Sequence, residues 1–120
     1  MLTSIGMFKE HCGGNFPSIL TPEGMDIAID ERKKVAHYLA SCPIAIASPG
    51  VVRDFFDASE IAGTPSLRTD GNWLWHDTYA YYVGRGLVNV KEALLSDIRA
   101  RNYVPPNDAE ISFAELKFPW

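Results

Sequence analysis

Three histidines and two cysteines are the side chains with which this chain could hold zinc or attack a carbonyl carbon. Their arrangement suits neither task. His11 and Cys12 are adjacent while His37, Cys42 and His76 stand apart, with no CxxC pair and none of the paired ligand spacings of a knuckle or a metal-binding helix. A nucleophilic enzyme needs Ser or Cys on a tight turn beside a positioned base, yet there is no GxSxG, and Cys42 before Pro43 reads as a buried helix-end residue. Gly84-Arg85-Gly86 is too short for a phosphate loop and reads as a helix stop. No metal, cofactor or catalytic residue is therefore expected, and the chain is not expected to be an enzyme.

Two constellations remain. Between Arg53 and Tyr79 the acids Asp54, Asp57, Glu60, Asp70 and Asp77 face only two bases, Arg53 and Arg68, which makes a candidate acidic patch. Such a patch would steer a basic partner, because complementary charge raises association rate and specificity. The run LRTDGNWLWHDTYAYYV, Leu67 to Val83, supplies the second, with Trp73, Trp75, His76 and Tyr79 crowded together as core, as interface anchor or as the wall of a ligand pocket.

The elements that would position these residues follow from turn and capping signals. Asp26 to Ser41 reads as a helix, with Asp30 as N-cap, Val35, Tyr38 and Leu39 on one face, and Pro43 as the stop. Ile44 to Ala47 reads as a strand between Pro43 and the Ser48-Pro49-Gly50 turn. Val51 to Phe56 fits either a strand or a helix start, and 57–65 reads as a polar connection. Asp70-Gly71 is expected to close a two-residue hairpin loop, since both positions of a type I′ turn need positive φ. That register sets Thr69 against Asn72, Arg68 against Trp73, Leu67 against Leu74 and Ser66 against Trp75. Both tryptophans then share a face with Arg68, close enough for cation-π stacking. Asp77 or Thr78 caps a short helix through Val83, and Asn89 with Glu92 resembles a capping box for a helix carrying Val90, Leu94 and Ile98. Ahead of all this, 1–25 is too broken by glycine and proline for more than a short strand or turn near Ile5 to Phe8. The tail from Ile111 to Trp120 is expected to dock as a strand or turn.

Taken together these describe one domain over 1–120, an α+β fold with a small antiparallel sheet around a 66–75 hairpin packed by about three helices. The chain has 120 residues, enough for one core, and its net charge of -4 argues against bare nucleic acid, which is bound by cations. No signal-peptide pattern and no long apolar run is present, so a cytoplasmic protein without membrane contact is expected.

From Val35 to Pro106 the chain resembles a group of small uncharacterised bacterial proteins. In them a helix ending in a Tyr-Leu pair, here Tyr38-Leu39, precedes a TDGxWxW hairpin, a YYV helix and a further helix. The corresponding residues are Thr69-Asp70-Gly71, Trp73, Trp75 and Tyr81-Tyr82-Val83. His76 stands where that pattern has proline, and Asn89-Val90 where it has Leu-Pro. The group is akin to immunity proteins of polymorphic and contact-dependent toxin systems. The resemblance implies a protein that binds and neutralises one cognate toxin domain, a nuclease or another effector enzyme of basic charge. The candidate contacts are Asp54, Asp57, Glu60, Asp70, Trp73, Asp77 and Tyr79. The alternative is a ligand-binding or enzymatic pocket lined by Trp73, Trp75, His76 and Tyr79.

Overall fold

The computed structural model describes residues 1–21 and 24–120. Along the chain run β1 (Thr3–Ser4), α1 (Lys9–Cys12), α2 (Ile29–Ser41), β2 (Ile44–Ile46), β3 (Val52–Arg53), β4 (Ile61–Gly63), β5 (Leu67–Thr69), β6 (Trp73–His76), α3 (Tyr79–Gly84) and α4 (Glu92–Ala100). The architecture is α+β. Four strands form one sheet in the order β1-β6-β5-β2, and β3 and β4 form a separate antiparallel ribbon. The sheet is mixed, because β1 pairs parallel to β6 with Thr3 beside Trp73 and Ser4 beside Leu74.

The hairpin forms, but with its register two residues away from the expected one. Leu67 pairs with His76, Arg68 with Trp75 and Thr69 with Leu74, so the turn spans 70–73 instead of Asp70-Gly71 alone. Side chains account for the longer loop. Asp70 Oδ1 accepts the N–H groups of Asn72 and Trp73, and Thr69 Oγ1 accepts Gly71 N–H while donating to Trp73 O. Local bonds of this kind compete directly with ladder pairing. A shift of two leaves each side chain on its expected face. Arg68, however, does not stack on Trp73: its guanidinium donates to Asp77 and to Cys42 O.

The Trp75 face packs under helices. Val35, Tyr38 and Leu39 of α2, Tyr79, Tyr82 and Val83 of α3, and Leu94, Leu95 and Ile98 of α4 surround it in one core cluster. Each of these large apolar groups contributes roughly 1.5–3 kcal/mol by leaving water. Trp75 is fully buried and its indole N–H donates to Leu39 O, which also satisfies a carbonyl near the end of α2. On the opposite face Leu74 joins Leu2 and Met7, with Phe16, Leu67, Leu116 and Phe118 packed around them. The tail therefore does dock, as two 3-10 turns (Asp108–Glu110 and Phe113–Glu115) followed by Lys117, whose carbonyl accepts Leu2 N–H.

Caps differ from the sequence reading. Ala28, Thr78 and Lys91 occupy the N-cap positions of α2, α3 and α4, and none of their side chains caps. Asp30 lies inside the first turn of α2, and Asn89 donates to Gly24 O instead of capping α4. Among the described residues no helix is long and apolar enough to cross a membrane.

Candidate functional site

The five acids do not assemble into one exposed patch. Asp54 is buried, its two oxygens taking Phe56 N–H and the Tyr81 hydroxyl at 2.8 Å each. Asp70 is buried in the hairpin turn, where it also accepts from the Tyr38 hydroxyl. Asp77 is ion-paired with Arg68 at 2.6 Å and accepts the backbone and hydroxyl of Thr64. Burial pushes the Asp77 carboxyl up, but the bonds from Arg68 and Thr64 outweigh it and hold the group below the usual carboxylate range. Only Asp57 and Glu60 of the five stand in solvent. A carboxylate among apolar neighbours is stable only when bonded, so three of the five acids serve the fold.

The aromatic candidates divide similarly. Tyr79 is buried and Trp73 is half-buried, with its indole N–H on Asp97. Tyr79 lines an apolar cleft of ≈ 50 Å³ between Ile5, Phe8, Phe16 and Val88. Trp73 borders a different, polar hollow beside Asn72, Asp97 and Lys117, and Trp75 and His76 line neither. Trp73, Trp75, His76 and Tyr79 thus do not wall a common pocket. Both thiols are held protonated: burial pushes Cys12 up to about 11, and burial reinforced by Asp70 pushes Cys42 up to about 12. Among the described residues no three His, Cys, Asp or Glu side chains converge to hold a metal ion.

Asp57 and Glu60 belong to a feature the sequence reading left open. β3 and β4 pair as Val52 with Gly63 and Arg53 with Ile61, where a polar connection was expected over 57–65. Their tip is an Asp57 to Glu60 turn in which Asp57 accepts Ser59 N–H and hydroxyl, while Glu60 N–H reaches Asp57 O. Around it Val51, Phe55, Phe56 and Ile61 are 44–60% exposed, and the two phenylalanine rings meet edge to face at 5.4 Å. Apolar side chains clustered in water on a small ribbon, with two carboxylates at the rim, have the composition of an interaction surface. The signal in the sequence was VVRDFF itself, bulky residues interrupted by charge where a core strand would alternate regularly.

Beneath the ribbon lies a stack of rings. His11 is sandwiched between His76 and Tyr82, each 5.8 Å away and within 17° of parallel. His11 Nε2 meets the Tyr82 hydroxyl at 2.5 Å, and that same oxygen accepts Phe55 N–H at 3.1 Å. His76 is buried with Nδ1 facing the Thr78 hydroxyl at 2.6 Å and accepting Thr78 N–H. Burial lowers both histidines below their usual value of 6.5, the neighbouring His11 adding to the effect at His76. The unfolded chain therefore binds more protons in the window just below that value. Stability is complete above it and declines as pH falls toward the lowered values. The urea midpoint is expected to drop between pH 7.5 and 5.5, before the carboxylates titrate, and an unchanged or rising midpoint would contradict a neutral histidine pair.

No family model, curated protein or solved structure matches this chain.

Proposed function

We propose that this chain is a non-enzymatic immunity protein of the cytoplasm, which binds and neutralises a cognate bacterial toxin domain by docking the β3–β4 ribbon against it. The observation that carries the reading is the exposed tip, where Phe55, Phe56 and Ile61 stand beside Asp57 and Glu60. Aromatic side chains of this kind act as binding anchors when a partner covers them. The adjacent carboxylates favour a basic partner such as a nuclease, whose substrate channel is itself cationic. The acidic balance of the whole chain acts in the same direction at longer range. Within this reading Asp54 and Asp77 hold the ribbon stem, and Asp70, Trp73 and Tyr79 belong to the body that carries it.

On this reading a toxin domain is encoded immediately beside this chain, and co-expression protects cells from it. Replacing Phe55 and Phe56 together by alanine is expected to weaken binding by a hundredfold or more while far-UV circular dichroism is unchanged, given about 2 kcal/mol per anchor. Asp57→Asn with Glu60→Gln is expected to slow association several-fold and flatten its salt dependence, with dissociation little affected. Full protection by the double-alanine variant would remove the ribbon from the interface. A neighbouring gene product that neither binds this chain nor is neutralised by it would overturn the immunity reading.

A further inference from the structure

The apolar tip of the ribbon is hydrogen-bonded to the body at Phe55 and packs on it through Phe56, whose ring meets Tyr82 edge-on at 6.2 Å, and the Phe55 bond ends in the histidine stack. Phe55 N–H donates to the Tyr82 oxygen, and His11 Nε2 lies within hydrogen-bond distance of the same oxygen. With the proton of neutral His11 on Nδ1, Nε2 is free to accept the Tyr82 hydroxyl hydrogen. We propose that His11 is an acid-sensitive latch on the ribbon: protonation at Nε2 reverses the bond to Tyr82 and releases the Phe55 to Ile61 tip from the body. The proposal rests on the ribbon being the docking surface, whereas its chemistry lies wholly within this chain.

Hydrogen-bond accounting gives the direction. An imidazolium presents N–H at Nε2, so the phenol oxygen must accept from it while Phe55 N–H competes for the same atom. The hydroxyl hydrogen meanwhile loses its acceptor in a half-buried site. His76 offers no relief across the stack, since its Nδ1 is engaged by Thr78. The charged and titratable groups around His11 are Lys9, Glu10 and Cys12 on α1, Asp54 at the ribbon stem, His76 at the end of β6 with Asp77 just after it, and Tyr82 on α3 with Tyr81 beside it. Each carboxylate among them already has donors. Glu10 takes Ser18 and Ile19, Asp54 takes Phe56 and Tyr81, and Asp77 takes Arg68 and Thr64. Glu10 and Asp54 draw the cation through space, but burial opposes it more strongly. The contact that yields is the one between Tyr82 and Phe55.

The test needs no partner. In the free protein, nuclear magnetic resonance from pH 7.5 to 5.5 is expected to show 55–61 amides shifting with the His11 titration. Their heteronuclear Overhauser values should fall, and the protection factor of the Phe55 amide, which allows for the slower intrinsic exchange at lower pH, should drop on the order of tenfold, as for loss of one hydrogen bond. The α4 amides should keep their shifts and Overhauser values throughout. In His11→Gln, whose amide oxygen can still accept from Tyr82, the pH response should vanish with the tip held. In Tyr82→Phe, which lacks the oxygen but keeps the ring that Phe56 packs on, the Phe55 amide should show its low-pH protection and shift at every pH. A tip that ignores pH, a response that persists in His11→Gln, or loss of α4 structure in step with the tip would each overturn the latch. Toxin binding by the ribbon at pH 7.5 is decided separately, so a failed latch with intact binding leaves the docking reading standing, and the converse also holds.

Discussion

Asp70→Ala is expected to cost about 3 kcal/mol of stability, a large share of the roughly 5–15 kcal/mol that holds a domain of this size folded. The Asp70 carboxylate accepts from Tyr38 Oη at 2.9 Å, Asn72 N at 3.0 Å and Trp73 N at 2.9 Å. Truncation orphans a hydroxyl on a fully buried ring and removes the bonds that close the hairpin turn. Burial, with Asp70 beside it, raises the Tyr38 phenol far above its ordinary value, so at any working pH it remains a donor in need of an acceptor. Urea titration measures the loss. Asp70→Asn should fall between wild type and alanine, because a carboxamide offers one oxygen where two are used. A double-mutant cycle with Tyr38→Phe isolates the buried bond, at about 1 kcal/mol of coupling. If Asp70 were a surface charge steering a partner, association rate would change and the urea midpoint would not.

Asp70 also shows which part of the architecture could be read from local residue order. Thr69-Asp70-Gly71 marks a turn in any context, and Pro43 must end α2, so the hairpin, α2 and β2 were all legible. Loop length was not. It depends on whether Asp70 points outward as a charge or inward to the backbone of Asn72 and Trp73, a choice fixed by Tyr38 reaching it from 32 positions away. The same applies at the helix starts, where Asp30 and Asn89 have the right chemistry for a cap but tertiary contacts place the boundary elsewhere. The parallel pairing of β1 with β6 joins residues some seventy positions apart, and nothing local to Thr3 or Trp73 encodes it.

Site residues were less legible because charge on paper says nothing of burial. Asp54 and Asp57 look equivalent in VVRDFFDASE, yet one is 4% exposed and fixes the ribbon stem while the other sits at its tip. The distinction comes from Tyr81 and Tyr82, which arrive from α3 to bond Asp54 and Phe55. In the sequence His11 offers only the chemistry of a metal ligand beside Cys12. Its actual neighbours, His76 at the end of β6 and Tyr82 on α3, come from more than sixty positions along the chain.

Gly6→Ala should be among the most damaging small substitutions in the N-terminal segment, costing about 3 kcal/mol or more. Gly6 has φ of +60°, and a Cβ built there would lie 2.2 Å from Cγ and 2.5 Å from both Cδ atoms of Tyr79. Left-handed backbone alone costs an L residue roughly 1–2 kcal/mol. The ring cannot move aside freely, because Tyr79 is 2% exposed, packs edge-on to Phe8 at 6.2 Å and bonds Asn89 O through its hydroxyl. Overpacking of such a site adds about 1–3 kcal/mol. Gly14 separates the two contributions: its φ is +63°, close to that of Gly6, but a Cβ there meets nothing within 4 Å. Gly14→Ala should therefore show only the backbone cost, roughly 1–2 kcal/mol, and the difference between the two urea midpoints reports the clash with Tyr79. Equal losses at the two positions would mean that the ring accommodates the methyl group. Because Tyr79 and Tyr82 both flank Phe8, a Gly6→Ala protein that still folds should carry the strain into α3 and loosen the Tyr82 contact with Phe55, which the Phe55 amide shift would register.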